Sequence, residues 1–191
     1  LAVELLGMKV VAVSDTKGGI FKQSGLDYDE VLDHKKTTGS VINFPGVENI
    51  TNEKLLEYPS MVLMPSALED VLNGRNAPKV KPKMIAELAN GPTTPEADEV
   101  FYKNGVYVIP DFLCNAGGVT VSYFEQVQNA YNYYWAEKKV HRELDERMTD
   151  AFHAVHEMSE GHKVDPRQAA YLLAVKRVAE QCRSRGWVDH L

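Results

Sequence analysis

Met84-Ile85-Ala86-Glu87-Leu88-Ala89-Asn90-Gly91-Pro92-Thr93-Thr94-Pro95-Glu96 decides the fold. Met84 to Ala89 reads as a short apolar strand. Asn90-Gly91-Pro92 stops it, and a helix starts at once. Thr94 stands where a helix cap stands, Pro95 suits the first turn, and Glu96 favours the positive end of the helix. The next apolar run, Val106-Tyr107-Val108-Ile109, is a further strand ended by Pro110. Strand, helix and strand in this order predict a parallel sheet with helices on both faces.

Upstream, Val10 to Val13 form a continuous apolar run, the mark of a strand buried on both faces. Thr16-Lys17-Gly18-Gly19 reads as a turn, Leu26 to Lys36 as a helix, and Asn43 to Asn49 as a loop. Asn52 to Glu57 is a short helix. Met61-Val62-Leu63-Met64 is a strand closed by Pro65, and Leu68 to Leu72 is another short helix. The four strands are expected to be parallel, with Asp15, Ser66, Asn90 and Asn115 at one edge. Leu1 to Leu6 reads as the tail of a helix stopped by Gly7. Downstream, three long helical segments cover roughly 114–135, 138–160 and 166–185. Gly186 ends the last, and Trp187 stands where a residue packs back on the final turn. Ala169, Leu172, Leu173, Val178 and Ala179 mark that last helix as deeply packed.

The chain has 191 residues, 44% hydrophobic and 25% charged, enough for a sizeable core. A formal net charge of -6 argues against non-specific nucleic-acid binding, which needs basic patches. It leaves room for a dinucleotide, because backbone N–H groups hold phosphates without formal charge. Two cysteines, Cys114 and Cys182, make no disulfide framework, so a cytoplasmic location is expected. No apolar run approaches the roughly 18 residues needed to span a bilayer, and residues 1–20 lack a signal-peptide pattern.

Ligands of open α/β sheets bind at the carboxyl ends of the strands. After the first strand come Ser14 and Asp15. An acid there can accept hydrogen bonds from an adenosine ribose or close a local turn, and the sequence leaves both open. The glycine fingerprint of a dinucleotide fold lies about 20 residues before such an acid. Counting back from Asp15 lands upstream of Leu1, so the first strand and its glycine loop are expected to be missing. After the second strand come Ser66 and Ala67, small enough for a ring or sugar to approach, or simply a tight turn. Asn90 after the third offers donor and acceptor at once. After the fourth, Asn115, Gly117 and Gly118 open a long helix whose first N–H groups form an anion and amide site. On that helix Val119, Ser122, Gln126 and Asn129 share one face, which reads as a lined cleft or a solvated face. No third ligand stands near His153 and His156, so no metal site is expected. These two are read as surface residues, as are His34, His141, His162 and His190. Cys114 is read as an inert thiol, and Met61 and Met64 as core filling.

Val11-Ala12-Val13-Ser14-Asp15, Ala89-Asn90-Gly91-Pro92-Thr93-Thr94-Pro95-Glu96-Ala97-Asp98 and the run from Ile109 through Asn115-Ala116-Gly117-Gly118-Val119 to Glu125 resemble glutamate dehydrogenase, and the resemblance extends to Arg185-Gly186-Trp187. It implies a Rossmann-like, doubly wound, mostly parallel α/β sheet missing its first strand and followed by long C-terminal helices. The expected division is a partial dinucleotide-binding domain at 1–135 and, at 136–191, helices packing back toward an absent substrate domain. The implied activity is oxidative deamination of L-glutamate to 2-oxoglutarate and ammonia with NAD or NADP, in a homo-hexamer. The resemblance puts Asp15 and its neighbours at the adenosine ribose, and Asn90 and Asn115 near the nicotinamide and its ribose. It puts Val119 and Ser122 in the glutamate pocket, with Ser122 on the substrate's side-chain carboxylate. Asp15 favours NAD, and Lys17 can offset its repulsion of a 2′-phosphate. The family's catalytic lysine and aspartate belong to an N-terminal domain outside this chain, so no catalytic residue is expected here. Leucine, phenylalanine and valine dehydrogenases share the helix start, and a non-catalytic coenzyme-binding fragment is the remaining alternative.

Overall fold

A computed structural model describes residues 6–187. The helix tail read at Leu1 to Leu5, and His190, lie outside them. Gly7 is left-handed, with φ +61°. The chain divides into two compact units. One runs to Pro59 and includes Lys79–Lys81; the other comprises Ser60–Pro78 and everything from Pro82 onward. The expected division at residue 135 falls inside the second unit.

The first unit holds an antiparallel sheet of β1 (Ala12–Asp15), β2 (Gly18–Phe21) and β3 (Glu48–Ile50). β1 turns into β2 through Thr16-Lys17, with Asp15 opposite Gly18. Glycine is required beside the turn: Gly18 has φ +145°, and a Cβ on Gly19 would lie 3.2 Å from the Val13 carbonyl oxygen. Helix α1 (Tyr28–Thr38) is capped by Asp27, whose side chain accepts from the Glu30 N–H, and ends at left-handed Gly39. Its Val31 packs with Ile20 and Val41 into a small core joined by Val13, Leu26 and Phe44. Helix α2 (Asn52–Leu56) starts at a Thr51 cap.

The structure corrects the expected strand arrangement here. β1 is antiparallel to its neighbour and half-buried, not one of four parallel strands buried on both faces. Gly18 and Gly19, read as part of a turn, begin its partner strand. A two-residue turn brings the chain back onto β1 before any helix can form.

In the second unit β4 (Val62–Leu63), β5 (Met84–Ala86) and β6 (Tyr107–Ile109) form the parallel sheet, in that order. Helix α3 (Pro95–Lys103) buries Ala97 and Phe101, one turn apart on one face, and packs on β6. Thr94 holds the cap position, but its hydroxyl makes no bond to the helix. The short α4 (Asp111–Cys114) leads into α5 (Gly117–Tyr131), α6 (Glu137–His162) and α7 (Pro166–Ser184). Leu113, Val155, Ala169 and Ala170 form the core where these helices meet, with Phe152 and Leu173 packed against it. No described helix is long and apolar enough to cross a membrane.

Other expectations change. Leu68 to Leu72 forms no helix; Leu72 instead bridges to Thr93. Met61 and Met64 are exposed, because their strand shows the core only Val62 and Leu63. Only the start of α7 is deeply packed, through Ala169 and Ala170, while Leu172 and Val178 are exposed. The Trp187 N–H bonds the Cys182 carbonyl, but its ring stays exposed under Arg185. His34 and His156 are half-buried: His34 meets the Ile42 carbonyl, and His156 stacks on Phe152 beside the Tyr107 hydroxyl.

Phe101 is fully buried, and Lys103 on the same helix is exposed. Phe101→Ala is expected to cost about 3–5 kcal/mol through lost burial and a cavity. Lys103→Ala is expected to stay within roughly 0.5 kcal/mol. Urea midpoints of the two variants check this.

Candidate functional site

In the first unit, the carboxyl end of β1 is built around Asp15. Asp15 Oδ1 accepts from the Lys17 N–H at 2.9 Å and from the Ser40 hydroxyl at 3.1 Å. Oδ2 accepts from the Val41 N–H at 2.9 Å, with Lys35 Nζ 3.7 Å away. The carboxylate therefore closes the local turn and ties it to the segment after α1. Burial opposes its charge, but the Lys17 and Val41 N–H groups, the Ser40 hydroxyl and Lys35 outweigh burial and hold the carboxyl below its usual range. The Ser14 hydroxyl donates to Asn52 Oδ1 at 2.8 Å, and Lys17 is exposed. Asp15, Lys17, Asn49, Thr51 and Asn52 line an open groove. Sequence reading missed Ser40, Val41 and Lys35, which come from 20 or more residues away.

In the second unit, β4 and β5 are joined beyond their ends by the Leu88 and Ala89 N–H groups, which both donate to the Pro65 carbonyl. Ser66 follows, its hydroxyl donating to the Met64 carbonyl, and Ala67 is exposed. Asn90 and Asn115 are brought together. Asn115 Nδ2 donates to Asn90 Oδ1 at 2.7 Å and lies 3.4 Å from the Leu88 carbonyl oxygen. That carbonyl fixes which way the Asn115 amide points, and so which atom Asn90 presents to it. Among the described residues, the Asn90 amide N–H groups and the Asn115 amide oxygen keep no protein partner. The pair presents one donor group and one acceptor at the sheet edge.

Further along α5, Val119, Ser122, Gln126 and Asn129 line one open groove with Tyr123 and Glu125. The stripe read from the sequence thus exists as a single face. Ser122 donates to the Gly118 carbonyl at 3.2 Å, a bond an exposed hydroxyl can exchange. Val119 is 70% exposed, so the face is uncovered in this chain.

Behind the amide pair lies a charged cluster that sequence reading missed. Arg167 Nη2 donates to Glu87 at 2.6 Å, Nε to Asp98 at 2.5 Å and Nη1 to Asp111 at 3.1 Å. Glu87 is fully buried. Its other oxygen accepts the Asp111 N–H at 2.8 Å, and Asp111 Oδ2 accepts the Gly91 N–H at 2.8 Å. Burial raises the Asp98 pKa; Arg167 opposes that rise and the charge of Glu87 adds to it. Burial works against the Arg167 cation, but Asp98 and Glu87 more than offset it and hold it charged. A glutamate inside the apolar run Met84 to Ala89 was the available signal, because a buried carboxylate calls for a cation. Cys114 is half-buried, and burial followed by Glu87 raises its thiol pKa, so it is held as the unreactive thiol. Among the described residues no group of three His, Cys, Asp or Glu is placed to hold a metal ion.

A parallel α/β sheet with amides at its carboxyl edge and long helices behind defines the class: an open-sheet α/β protein of the kind that binds ligands at strand ends. Residues 1–186 match the Glutamate/Leucine/Phenylalanine/Valine dehydrogenase family, and the chain belongs to it. It is 49% identical over 181 residues to a glutamate dehydrogenase of Thermotoga maritima, covering 95% of this chain and 44% of that protein. An NAD-specific glutamate dehydrogenase of Staphylococcus aureus is 43% identical over 182 residues, with the same coverage. The crystal structure of a hetero-hexameric glutamate dehydrogenase from Thermus thermophilus, in a leucine-bound form, superposes with a TM-score of 0.86 at 34% identity. It covers 95% of this chain and 43% of that one. The chain thus spans less than half the length of these relatives.

Asp15 gives a pH test. Its carboxyl is held below the usual carboxylate range, so its stabilisation is present above the ordinary aspartate value and is lost as pH falls through the lower folded one. Asp15→Asn is expected to melt below the parent at neutral pH, with the gap closing on acidification below about pH 4. Melting curves across pH check this; a constant gap would contradict it.

Proposed function

We propose that this chain is the coenzyme-binding part of an NAD- or NADP-dependent glutamate dehydrogenase, converting L-glutamate to 2-oxoglutarate and ammonia. The observation that carries the reading is the Asn90–Asn115 pair at the carboxyl edge of the sheet, in a chain whose relatives at 43–49% identity are glutamate dehydrogenases. The residues present fit a dinucleotide. The amide pair offers one donor and one acceptor, the complement of a carboxamide. Gly91 is left-handed with open space where a Cβ would stand, so a ring can approach the backbone. When bound, the nicotinamide ring supplies the hydride acceptor.

The chain's own residues then have separable roles. Asn90 and Asn115 orient the ring, with Ser66 and Ala67 keeping the neighbouring strand end low. Ser14, Asp15 and Lys17 serve the adenosine end. Asp15 keeps its charge, which favours NAD, and exposed Lys17 tempers repulsion of a 2′-phosphate, so either coenzyme is accommodated. Val119 floors the substrate pocket, and Ser122 donates to the side-chain carboxylate of glutamate. The groups that take the substrate's protons are supplied by parent sequence outside this chain, so the chain alone is expected to be inactive. The full protein is proposed to be a cytoplasmic homo-hexamer, with no nucleic-acid or membrane partner.

The second reading is a dehydrogenase of leucine, phenylalanine or valine, which belong to the same family. Ser122 speaks against it, because an apolar substrate would cover this exposed hydroxyl and offer it no acceptor in return. A hydrogen bond to a charged group contributes roughly 1.5–3 kcal/mol. In a full-length enzyme carrying this chain, Ser122→Val is therefore expected to lower kcat/KM for glutamate about tenfold to a hundredfold. The rate with norleucine is expected to fall little or to rise. Equal losses on both substrates would make Ser122 a fold-supporting residue and return the α5 stripe to a solvated face.

A further inference from the structure

Asp111 is bound at every polar atom that faces the protein. Its N–H donates to Glu87, Oδ1 accepts from Arg167, and Oδ2 accepts from the Gly91 N–H at 2.8 Å. Tying α7 to the sheet needs only part of this. Arg167 already reaches the end of β5 through Glu87 and α3 through Asp98. The Asp111–Gly91 bond goes elsewhere, to the loop that carries Asn90. Gly91 is left-handed, with φ +54°, and nothing lies within 4 Å of where its Cβ would be. Gly91 itself has no side chain with which to hold its own N–H in place, although Pro92 after it is buried. The Gly91 N–H bond to Asp111 and its carbonyl bond from the Asp70 N–H fix this peptide.

We propose that Asp111 is a positioning residue for the coenzyme site. It sets the Gly91 peptide, and through it the Asn90 amide, at the angle that meets Asn115, while Arg167 holds Asp111 itself in place. The proposal rests on the reading of Asn90 as a contact on the nicotinamide side. The carboxylate is essential because each of its oxygens accepts from a different donor. An asparagine has one acceptor oxygen and one donor nitrogen, so it sets a donor against either Arg167 or the Gly91 N–H. A lysine at position 167 keeps the charge but lacks the planar fork that reaches three carboxylates at once.

The test uses the full-length enzyme carrying this chain, with Asp111→Asn and Asn90→Ala made separately. Asp111→Asn is expected to lower kcat about tenfold to a hundredfold, the size of effect a misplaced reacting group produces. The inhibition constant for ADP, which probes only the adenosine half, is expected to stay at the parent value. A merely structural role would lower the melting temperature while leaving kcat per folded enzyme unchanged, or would weaken ADP binding in step with kcat; either result overturns the proposal. Normal turnover in Asn90→Ala would overturn the underlying reading of Asn90, and the proposal with it. A damaged Asn90→Ala beside a normal Asp111→Asn would overturn the positioning role alone. If Asp111→Asn does not accumulate as folded protein, Arg167→Lys carries the same pair of readouts, with the same expected loss in kcat and unchanged ADP inhibition.

Discussion

One guanidinium meets three carboxylates in the second unit, and the geometry of the sheet edge follows from that contact. Arg167 is delivered to it by the start of α7. Asp165 caps the helix by accepting from the Gln168 N–H at 2.9 Å, and Pro166 fixes the first turn. The preceding turn is itself held: the Ser159 hydroxyl donates to the Val164 carbonyl, and the Tyr102 hydroxyl donates to the Lys163 carbonyl. Removing one partner of a buried ion pair costs about 3–5 kcal/mol, because the other charge is left without compensation. Three acids on one cation leave negative charge in excess. The raised pKa of Asp98 is the local response, with burial as its main cause and Glu87 adding to it.

The cluster spans the sequence. Glu87 follows β5, Asp98 lies in α3, Asp111 opens α4, and Arg167 returns 56 to 80 residues later. Two of the three acids sit next to a piece of the candidate site. Glu87 is three residues before Asn90, and Asp111 is four residues before Asn115. Strand ends carry unsatisfied backbone groups, and here the buried acids take them up: Glu87 accepts the Asp111 N–H, and Asp111 accepts the Gly91 N–H. The loops after β5 and β6 are thereby fastened to one charged centre rather than to each other alone.

This explains what could be read in the sequence and what could not. Strands β4 to β6, helix α3 and the three long C-terminal helices are local patterns, visible as apolar runs punctuated by Asn-Gly-Pro, Pro and Gly. Asn90 and Asn115 were legible for the same reason, since each is an amide in the segment that follows a strand, Asn115 after the short α4. Their mutual bond was not, because pairing across 25 residues leaves no local mark. The antiparallel hairpin was lost because Gly18 and Gly19 read as turn, when the turn is Thr16-Lys17 and the glycines begin the next strand. Met61 and Met64 were placed in the core by type alone, whereas the two-residue strand between them shows the core only Val62 and Leu63. The Arg167 cluster left one local trace, a glutamate in an apolar strand. Its meaning depended on a residue 80 positions away.

The two strand-end sites handle polarity in opposite ways, and the difference has a physical reason. At Asp15 a full charge is kept, and internal donors surround it on both oxygens. Such a carboxylate stays ionised and can still act through its field, although most of its acceptor capacity is already used. At Asn90 and Asn115 the exposed groups are neutral amides, and the charges stand one layer behind. A neutral amide costs far less to desolvate than a carboxylate does. Such amides can therefore exchange water for a covering ligand cheaply. Arg167 and the three acids stand behind them, with negative charge in excess. On the proposed reading stiffness comes from the charged layer and recognition from the neutral one, so a change in the hidden layer is felt at the surface first as a change in angle.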